Sequence, residues 1–558
     1  MKKVTTLLLL TCLLGFVACG GSGDDDGLVE FTWHLNYTWA TPSNWGADEV
    51  SRAWEERFNI RARQQEPDAI ADEVLSLMIM ADDLPDAIWM DRGPMNVEMT
   101  RMGLFYPIDE LKEMVDNNWY DENVPLGAQR HYAVDGVNHV IPNWVRMGEF
   151  GVRGGATGGN HAWLKTTKVY EAVGSPDFVY LEDLYNYAVA VRDANLTNHA
   201  GVPITPVLFN GGPNYGTEFI YAIFTAMGGI SEGWQGWYNI RRTDSEPVFG
   251  TTFNDPLWRE AVLEANRWFR EGLFPATNLT NTHDQFNENL INGLGGLIWH
   301  DHSVDNNIFY RRLLADADTG NSIEVIYNRL DGHPYLYLPS AAKGVPHTDV
   351  HHQIYSSLGW NGTFITRSAQ HPGRIFELLT WMLTPLGSIE MMFGPEGHLW
   401  ESLDANGFPI LHTSPDEISA ERRDEIGLWA WDFHGHSNNV DNAKFAANNA
   451  LPPENRNWVD YMQATLFTPN LLLSDEFQLM AIQIDSTSDL GIRRTMIEEH
   501  FMEWLPQIIL APTEAEAVAR FDSVRDFANA NGMPEIENIY TMQWVYNSSL
   551  QGGSIFFR

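Results

Sequence analysis

Several predicted strands are followed by side chains that could bind a sugar. The sequence contains 21 Trp and 19 Tyr residues. Aromatic rings stack on the C–H faces of sugar rings, and carboxylates accept hydrogen bonds from sugar hydroxyl groups. Trp39 follows the first predicted strand, Asp91 and Arg92 follow the third, and Trp299 and Asp301 lie at the end of a later strand. These residues predict an aromatic clamp with acidic hydrogen-bond acceptors, although a lone Trp on a strand, such as Trp299, is also typical of a core.

The sequence offers little support for hydrolytic chemistry. It contains no HExxH and no CxxC motif. With 74 Asp and Glu residues, a pair of carboxylates at glycosidase spacing could be proposed almost anywhere. The carboxylates therefore give no evidence for a catalytic pair, and we expect the protein not to be an enzyme.

Two stretches could suggest a metal site. His347, His351 and His352 lie close together, but their spacing lacks an ordered set of partners and favours a solvated loop. Residues 316–320 are similar to the opening of a calcium loop, yet the later side-chain ligands and the terminal Glu are missing. We therefore expect neither a bound metal nor a cofactor.

Strands and helices alternate from residue 28 onward. Residues 29–35, 60–64 and 86–90 have strand patterns, and two apolar helical stripes separate them. The first stripe is Ala47, Val50, Trp54 and Phe58, and the second is Ile70, Val74, Leu77 and Met78. This alternation predicts an α/β fold with a parallel sheet, whose ligands bind beyond the carboxyl ends of the strands.

Residues 360–400 contain a strand, two helices and an acidic turn. Apolar residues recur at helical spacing from Ile375 to Leu383 and indicate a helix that faces a core. Thr384 and Pro385 supply an N-cap and a first helical residue, and Gly394 ends the second helix.

The first residues have the features of an export signal. A basic start and an apolar run precede Ala18 and Cys19, so residues 1–18 are predicted to be a signal peptide that contains Cys12. The sequence Phe16-Val17-Ala18-Cys19 resembles the lipobox of bacterial lipoproteins, which implies lipidation at Cys19. Residues 19–27 then form a flexible tether between the lipid and the folded chain.

Length and charge restrict the classes of function. A chain of 558 residues exceeds what one core normally accommodates, so two lobes are expected. The net charge of −39 argues against a surface for nucleic acid or anionic membranes.

Several segments together resemble the large extracellular solute-binding lipoproteins of sugar-importing ABC transporters. The sequence GWNGTFITRSAQHPGRIFELLTWMLTPLGSIEMMFGPEGHLW is similar to their return segment, although Pro395 and Leu399 depart from the family's turn. DLPDAIW at 83–89 and NHVIPNW at 138–144 resemble a strand and a pocket hairpin of that family. The resemblance implies a two-lobe periplasmic-binding-protein-like fold of type II, with a hinge and discontinuous lobes. The implied lobes are residues 28–160 plus 355–400 and residues 161–354 plus 401–558.

The same resemblance adds residues to the expected ligand site. It implies roles for Trp144 in the hairpin, for Trp360 in the return segment, and for Glu396 and His398 in the turn. The complete set of expected ligand-binding residues is Trp39, Asp91, Arg92, Trp144, Trp299, Asp301, Trp360, Glu396 and His398.

The function that the resemblance implies is capture of an oligosaccharide outside the cell and delivery to the permease subunits of an ABC importer. We expect an extracytoplasmic, lipid-anchored protein that acts as a monomer and binds no nucleic acid. Two alternatives remain open at this stage: an extracellular glycoside-active enzyme, and a surface receptor for peptides or metals.

Overall fold

In the part of the chain that it describes, the computed structural model of the protein contains two larger β-sheets and four strand pairs, with helices packed around them. The structure describes residues 27–37, 40, 44–67, 70–145, 161–212, 216–230, 238–241, 248–300, 322–329, 336–337, 341–351, 354–355, 358–431, 434–452, 456, 462–467, 472–473, 484 and 488–550.

The strands are β1 Val29–Leu35, β2 Ile60–Gln65, β3 Ala87–Asp91, β4 Ile141–Pro142, β5 Ala162–Thr166, β6 Thr205–Phe209, β7 Tyr238–Arg241, β8 Val248–Thr251, β9 Gly295–His300, β10 Ile323–Val325, β11 Asn328–Arg329, β12 Leu336–Tyr337, β13 Ile354–Tyr355, β14 Asn361–Ile365, β15 Trp400–Leu403, β16 Pro409–Leu411 and β17 Leu472–Leu473.

The α-helices are α1 Glu49–Phe58, α2 Ala71–Ala81, α3 Pro94–Arg101, α4 Ile108–Lys112, α5 Trp119–Asn123, α6 Leu126–Tyr132, α7 Thr167–Ala172, α8 Leu181–Ala194, α9 Thr217–Ala226, α10 Pro256–Arg270, α11 His283–Ile291, α12 Pro372–Met382, α13 Pro385–Phe393, α14 Ala420–Ile426, α15 Ser437–Ala450, α16 Asp489–Ile509, α17 Glu514–Ala530 and α18 Met533–Leu550. Short 3₁₀ turns cover Ala276–Leu279, His347–Asp349 and Pro415–Glu417, and a π-helical turn covers Gln463–Phe467.

The first sheet has the strand order β2-β1-β3-β14-β4. Strand β1 runs parallel to β2 and β3, whereas β14 runs antiparallel to β3 and β4. Asn361, at the start of β14, pairs with Asp91, at the end of β3. The carboxyl ends of β1, β3 and β4 and the beginning of β14 therefore lie along one edge.

The second sheet has the strand order β10-β5-β9-β6. Strands β6 and β9 are parallel, and β5 is antiparallel to β9 and β10. One buried cluster on this sheet contains Trp163 and Trp299, and the cluster with Leu164 and Ile298 packs against its other face. The second sheet is thus covered on both faces.

The buried cores divide the described chain into two lobes. One core joins residues between Val29 and Val145 to residues between Leu358 and Ala447. The other two draw on residues between Ala162 and Ile326 and between Met462 and Trp544. The prediction of an α/β, two-lobe fold built from discontinuous segments is confirmed.

The packing after Trp400 differs from the lobe boundary that the sequence suggested. Ile426, Trp431, Val440 and Ala447 are buried in the core of the first lobe, although residues from 401 onward were assigned to the second lobe. We therefore place the described residues of 401–447 with the first lobe. Helix α15 has Asn, Ala and Ser at many positions, and such a composition gives no signal for the core that it joins.

The helix signals of residues 360–400 are confirmed. Helix α12 begins at Pro372, and Thr384 caps α13 by accepting a hydrogen bond from the Gly387 N–H at 3.1 Å. Helix α13 ends at Gly394, whose φ of +77° places it in the left-handed region that favours glycine. Local capping rules therefore define this hairpin.

Helix α2 differs from the other predicted amphipathic helices. Only Leu75 is fully buried, whereas Ile70, just before the helix, and Leu77 are 63% and 61% exposed. Ile70 and Leu77 thus face away from the core, whereas Met78 of the same predicted stripe packs partly against it. Among the described residues, no helix is long and apolar enough to cross a membrane.

Candidate ligand site

A group of side chains meets at the shared edge of the first sheet. Tyr37 follows β1, Trp89 lies within β3 and Asp91 ends it. Asn361 begins β14, and Trp360 directly precedes it. We call these five residues the rim cluster. The strand-end rule placed Asp91 here from the sequence, and the antiparallel entry of β14 brings Trp360 to the same edge.

Three aromatic rings build the rim cluster. Trp360 packs against Tyr37 with ring centroids 5.5 Å apart and against Trp89 at 5.7 Å. Tyr37 and Trp89 are 8% and 2% exposed, whereas Trp360 is 36% exposed. The two buried rings therefore support an indole that still presents surface to solvent, as a stacking platform requires.

Asp91 and Tyr37 form the polar part of the rim cluster. The Tyr37 hydroxyl donates to Asp91 Oδ1 at 2.8 Å, and Asn361 Nδ2 donates to the Tyr37 hydroxyl at 3.2 Å. Burial, together with the nearby Asp91 charge, raises the pKa of the Tyr37 phenol, so it stays protonated. Asp91 Oδ2 receives no hydrogen bond from the described residues, which leaves an acceptor open to a hydroxyl group.

The environment of Asp91 raises the pKa of its carboxyl group above the ordinary value. Desolvation raises the pKa of its carboxyl, and the hydrogen bond from Tyr37 partly opposes this shift. Asp91 is nevertheless exposed, so water reaches the carboxylate and the desolvation is partial.

Arg92 contacts the segment that precedes Trp360 of the rim cluster. It is 7% exposed, its guanidinium donates to the Gly359 carbonyl, and it lies 4.8 Å from the Tyr132 ring centroid. The Tyr132 hydroxyl donates to the Leu358 carbonyl at 2.8 Å. Arg92 therefore holds the segment before Trp360 in place, which is a positioning role.

Trp144 lies after β4, farther along the same edge. Its φ is +54°, its N–H donates to the Gly435 carbonyl at 2.6 Å, and its carbonyl accepts from Ser437 Oγ at 2.8 Å. Its ring stacks on Trp429 with a centroid distance of 6.3 Å and an interplanar angle of 17°. Trp429 is 39% exposed, so this pair adds a second aromatic surface to the first lobe.

Glu396 and His398 lie in the turn after α13. Glu396 is exposed, and His398 Nδ1 lies 3.4 Å from Arg422 Nη2. Desolvation lowers the pKa of His398, so the ring is neutral at pH 7. The contact with Arg422 connects this turn to α14, and among the described residues no hydrogen bond or ring contact joins Glu396 or His398 to the rim cluster.

Trp299 occupies a core position in the second lobe. It is 1% exposed, and its ring centroid lies 4.9 Å from that of Trp163. This is the structural role that the sequence left open, because a fully buried indole has no free face for a sugar. We leave Trp299 out of the proposed site.

The corresponding edge of the second sheet carries buried polar atoms. Asn210 directly follows β6 and Thr217 begins α9. Asn210 Oδ1 and Thr217 Oγ1 have no hydrogen-bond partner within the described part of the chain. Buried polar atoms without a partner are costly, so they are candidates for bonds to a bound molecule.

Some of the expected residues cannot be placed. Trp39, Asp301, Cys19, His352 and residues 316–320 lie outside the described residues. Where the chain is described, no group of three or more His, Cys, Asp or Glu side chains is placed to hold a metal ion.

Sequence reasoning missed Asn361 and Trp429 as candidate site residues. The strand-end rule did point to Tyr37, together with Thr38 and Trp39 after the first strand, but only Trp39 was included in the expected set. Asn361 and Trp429 could not be found in this way, because their positions depend on the pairing of β14 and on the fold of residues 401–447.

A serine motif lies after α9. Gly229-Ile230-Ser231-Glu232-Gly233 has the GxSxG pattern of a hydrolase nucleophile turn. That turn joins a strand to a helix, whereas this motif follows helix α9 directly, and residues 231–233 lie outside the described residues. The motif therefore lacks the required structural context.

Comparison of the sequence with known proteins gives no family. No family model matches the chain, and no curated protein matches it.

The structure is similar to solved structures of solute-binding proteins. A Streptococcus pneumoniae ABC-transporter substrate-binding protein, FusA in an EF-hand mutant bound to fructo-nystose, matches with a TM-score of 0.64 and 13% identity, over 94% of this chain and 99% of that chain. A solute-binding protein of Bifidobacterium longum infantis, described as associated with an HMO-binding ABC transporter, matches with a TM-score of 0.61 and 13% identity, over 93% and 99%. The N-glycan transport solute-binding protein NgtS of Streptococcus pneumoniae matches with a TM-score of 0.59 and 10% identity, over 93% and 99%. The chain therefore shares the two-lobe fold of these solute-binding proteins along nearly its whole length.

Proposed function

We propose that the protein is the substrate-binding component of an ABC importer, which captures an oligosaccharide outside the cell and delivers it to a membrane permease. The observation that carries the proposal is the rim cluster, in which the exposed Trp360 ring lies beside the open Asp91 carboxylate. Its position at the carboxyl edge of the first sheet is where α/β lobes bind ligands. The shared fold supports the same conclusion.

The chemistry of the rim suits a neutral sugar. The Trp360 ring offers a flat apolar surface for the C–H face of a pyranose or furanose, and Asp91 Oδ2 offers an acceptor for a hydroxyl group. The neighbouring cation, Arg92, already donates to Gly359 and is almost fully buried. The described rim therefore favours uncharged sugars over uronic acids.

Ligand capture in this proposal joins the two lobes. Trp360 and Asp91 contact the sugar from the first lobe, and Asn210 and Thr217 supply polar atoms from the second. A sugar that contacts both lobes favours a closed arrangement, because only that arrangement makes both sets of contacts. The permease then receives the closed form.

We also propose that the protein is extracytoplasmic, monomeric and anchored by lipid at Cys19. The support is the signal-like sequence of residues 1–18 and the lipobox-like residues that end at Cys19. Cys19→Ala should move the protein from the membrane fraction to the medium or leave it as the precursor. Unchanged lipid labelling of this variant would contradict the assignment.

A thermal-shift panel tests the proposed function. The mature protein is heated with fructo-oligosaccharides, milk oligosaccharides, N-glycan fragments, alginate oligomers, peptides and divalent metals. A sugar at 100 times its dissociation constant should stabilise the fold by about 2.7 kcal/mol. Product analysis after long incubation should recover that sugar unaltered. Stabilisation by a peptide or metal alone, or cleavage of the sugar, would refute the proposal in favour of a receptor or an enzyme.

A further inference from the structure

The stacked pair of Trp144 and Trp429 has an unusual backbone. In the part of the chain that the structure describes, seven non-glycine residues have a positive φ, and five of them are Asn, Asp or Ser. The other two are Trp144, at +54°, and Trp429, at +63°. Bulky residues rarely adopt this left-handed conformation, because their Cβ atom comes too close to the backbone. Surrounding contacts must therefore hold both tryptophans of the pair in place.

Those contacts reach both tryptophans. The Trp144 N–H donates to the Gly435 carbonyl at 2.6 Å, and the Trp144 carbonyl accepts from Ser437 Oγ at 2.8 Å. The Trp429 N–H donates to the Met391 carbonyl at 3.0 Å. Gly435 also leaves room for the Trp144 ring, since a Cβ atom there would lie 3.2 Å from it. The Trp429 ring is nevertheless 39% exposed, so these contacts present an indole to solvent.

The stacked pair continues the row of side chains that the rim cluster begins. Asn361 pairs with Asp91 of β3, and on its other side its carbonyl accepts from the Asn143 N–H at 3.2 Å. Trp360 and Trp144 are the neighbouring residues at this end of β14 and β4. Because neighbouring strands lie about 4.8 Å apart, the second aromatic surface begins one strand away from the first.

Two buried polar atoms lie beside these tryptophans. Asn361 Oδ1 and Asn143 Nδ2 have no hydrogen-bond partner among the residues that the structure describes. The other side-chain atoms of the two residues are already bonded, to the Tyr37 hydroxyl and to the Gly435 N–H. A free acceptor and a free donor together suit a hydroxyl group, which both donates and accepts. The edge between the two aromatic surfaces therefore suits a sugar as well.

We propose that Trp144 and Trp429 form a second stacking subsite, through which the protein selects oligosaccharides by chain length. This inference rests on the proposed function, because it extends the sugar site of the rim cluster. A short sugar on Trp360 contacts the rim cluster alone, whereas a longer one passes β4 and stacks on Trp429. The contacts that hold Trp429 are in place before the sugar arrives, so little ordering opposes this extra contact.

The test uses three variants of the full mature protein. Trp429→Gly removes the ring and relieves the left-handed backbone, and Trp429→Leu keeps apolar contact with Trp144 but has no flat ring. Ser175→Gly is the matched control, since Ser175 is exposed in the second lobe and has a φ of +52°. Calorimetry measures affinity for the disaccharide and the longer members of the fructo-oligosaccharide, milk-oligosaccharide and N-glycan series.

Wild-type affinity should rise with chain length in the series that binds. Both Trp429 variants should bind the longer members about tenfold more weakly, with affinity for the disaccharide unchanged. Ser175→Gly should match the wild type at every length. The melting temperatures of both glycine variants should stay close to that of the wild type, because glycine relieves the left-handed strain at either position.

Wild-type affinity of Trp429→Leu for the longer members would overturn the subsite and leave the proposed function standing. Equal weakening at every length would also overturn it, because Trp429 would then act on the sugar unit at the rim cluster. A lower melting temperature of Trp429→Gly alone, with all affinities unchanged, would assign the stacked pair to support of the fold. A wild-type protein that binds no sugar of the panel would overturn the proposed function as well.

Discussion

At the scale of single residues, exposure separates tryptophans that could bind a ligand from those that hold the fold. Trp360 and Trp299 both occur in strand-containing stretches, yet one is 36% exposed and the other 1%. The difference arises from their supports: Trp360 lies over Tyr37 and Trp89, whereas Trp299 packs inside a cluster with Trp163.

Trp360→Ala should therefore weaken sugar binding by about 1 to 2 kcal/mol in calorimetry, as loss of an aromatic anchor does at other interfaces. The apo melting temperature should change little. Trp299→Ala is the control and should instead destabilise the fold by about 3 to 5 kcal/mol, because it leaves a cavity. Normal sugar affinity in the Trp360 variant would remove this residue from the site.

The pH dependence of the melting temperature tests the raised pKa of Asp91. The pKa of its carboxyl group is raised in the folded chain, so ionisation is less favourable there than in the unfolded chain. The folded state therefore loses stability as the pH rises through the two pKa values. Asp91→Asn should thus melt at a higher temperature than the wild type at pH 7. The difference should narrow as the pH falls through the raised pKa and below about 3.9, the ordinary value of Asp.

A second aspartate provides the control for this experiment. The hydrogen bond from Arg192 lowers the pKa of Asp193, so Asp193→Asn should not raise the melting temperature at pH 7. Sugar affinity should fall only for the Asp91 variant, because it loses a charged acceptor. Identical pH profiles for the two variants would show that Asp91 is not desolvated in the fold.

At the scale of elements, three chain segments contact one another next to the rim cluster. Val145 forms bridges with both Leu358 and His436, and the Gly359 backbone passes against Asn143. A Cβ atom at Gly359 would lie 1.7 Å from the Asn143 carbonyl oxygen, and the φ of Gly359 is +65°. This close approach sets the position from which Trp360 enters the rim.

Gly359→Ala should therefore lower the melting temperature and weaken sugar binding together, because the backbone of one segment must move. Gly103→Ala is the matched control, since Gly103 has a φ of +76° but nothing within 4 Å of an added Cβ atom. It should show only the cost of an alanine in the left-handed region, about 1 to 2 kcal/mol. Equal losses in both variants would mean that the close approach has no structural role.

The sequence predicted the positions of helices and strands better than it predicted which residues pack against each of their faces. Caps and apolar spacing located α12 and α13 because these signals are local. The same spacing defined the stripe of α2 but could not tell which way it faces, since amphipathicity shows that residues share a face and not what covers it. Likewise, Leu297, Ile298 and Trp299 of β9 form a continuous apolar run, so no alternation distinguishes its ligand-facing from its core-facing residues.

At the scale of the whole molecule, each lobe is assembled from segments far apart in the chain. The connections lie after Val145, before Leu358 and after Ala447, where the first core gives way to the second. Lobes joined by a few chain segments can rotate relative to each other. Small-angle scattering should show a smaller radius of gyration when a stabilising oligosaccharide is added, and an identical profile would contradict closure.

The central claim is that an oligosaccharide binds at the rim of the first lobe, and a crystal structure with the most stabilising sugar of the panel tests it directly. The account predicts a sugar ring against the Trp360 indole, a hydroxyl group within hydrogen-bond distance of Asp91 Oδ2, and contacts from the edge of the second lobe near Asn210. A sugar bound away from Tyr37, Asp91 and Trp360 would contradict it.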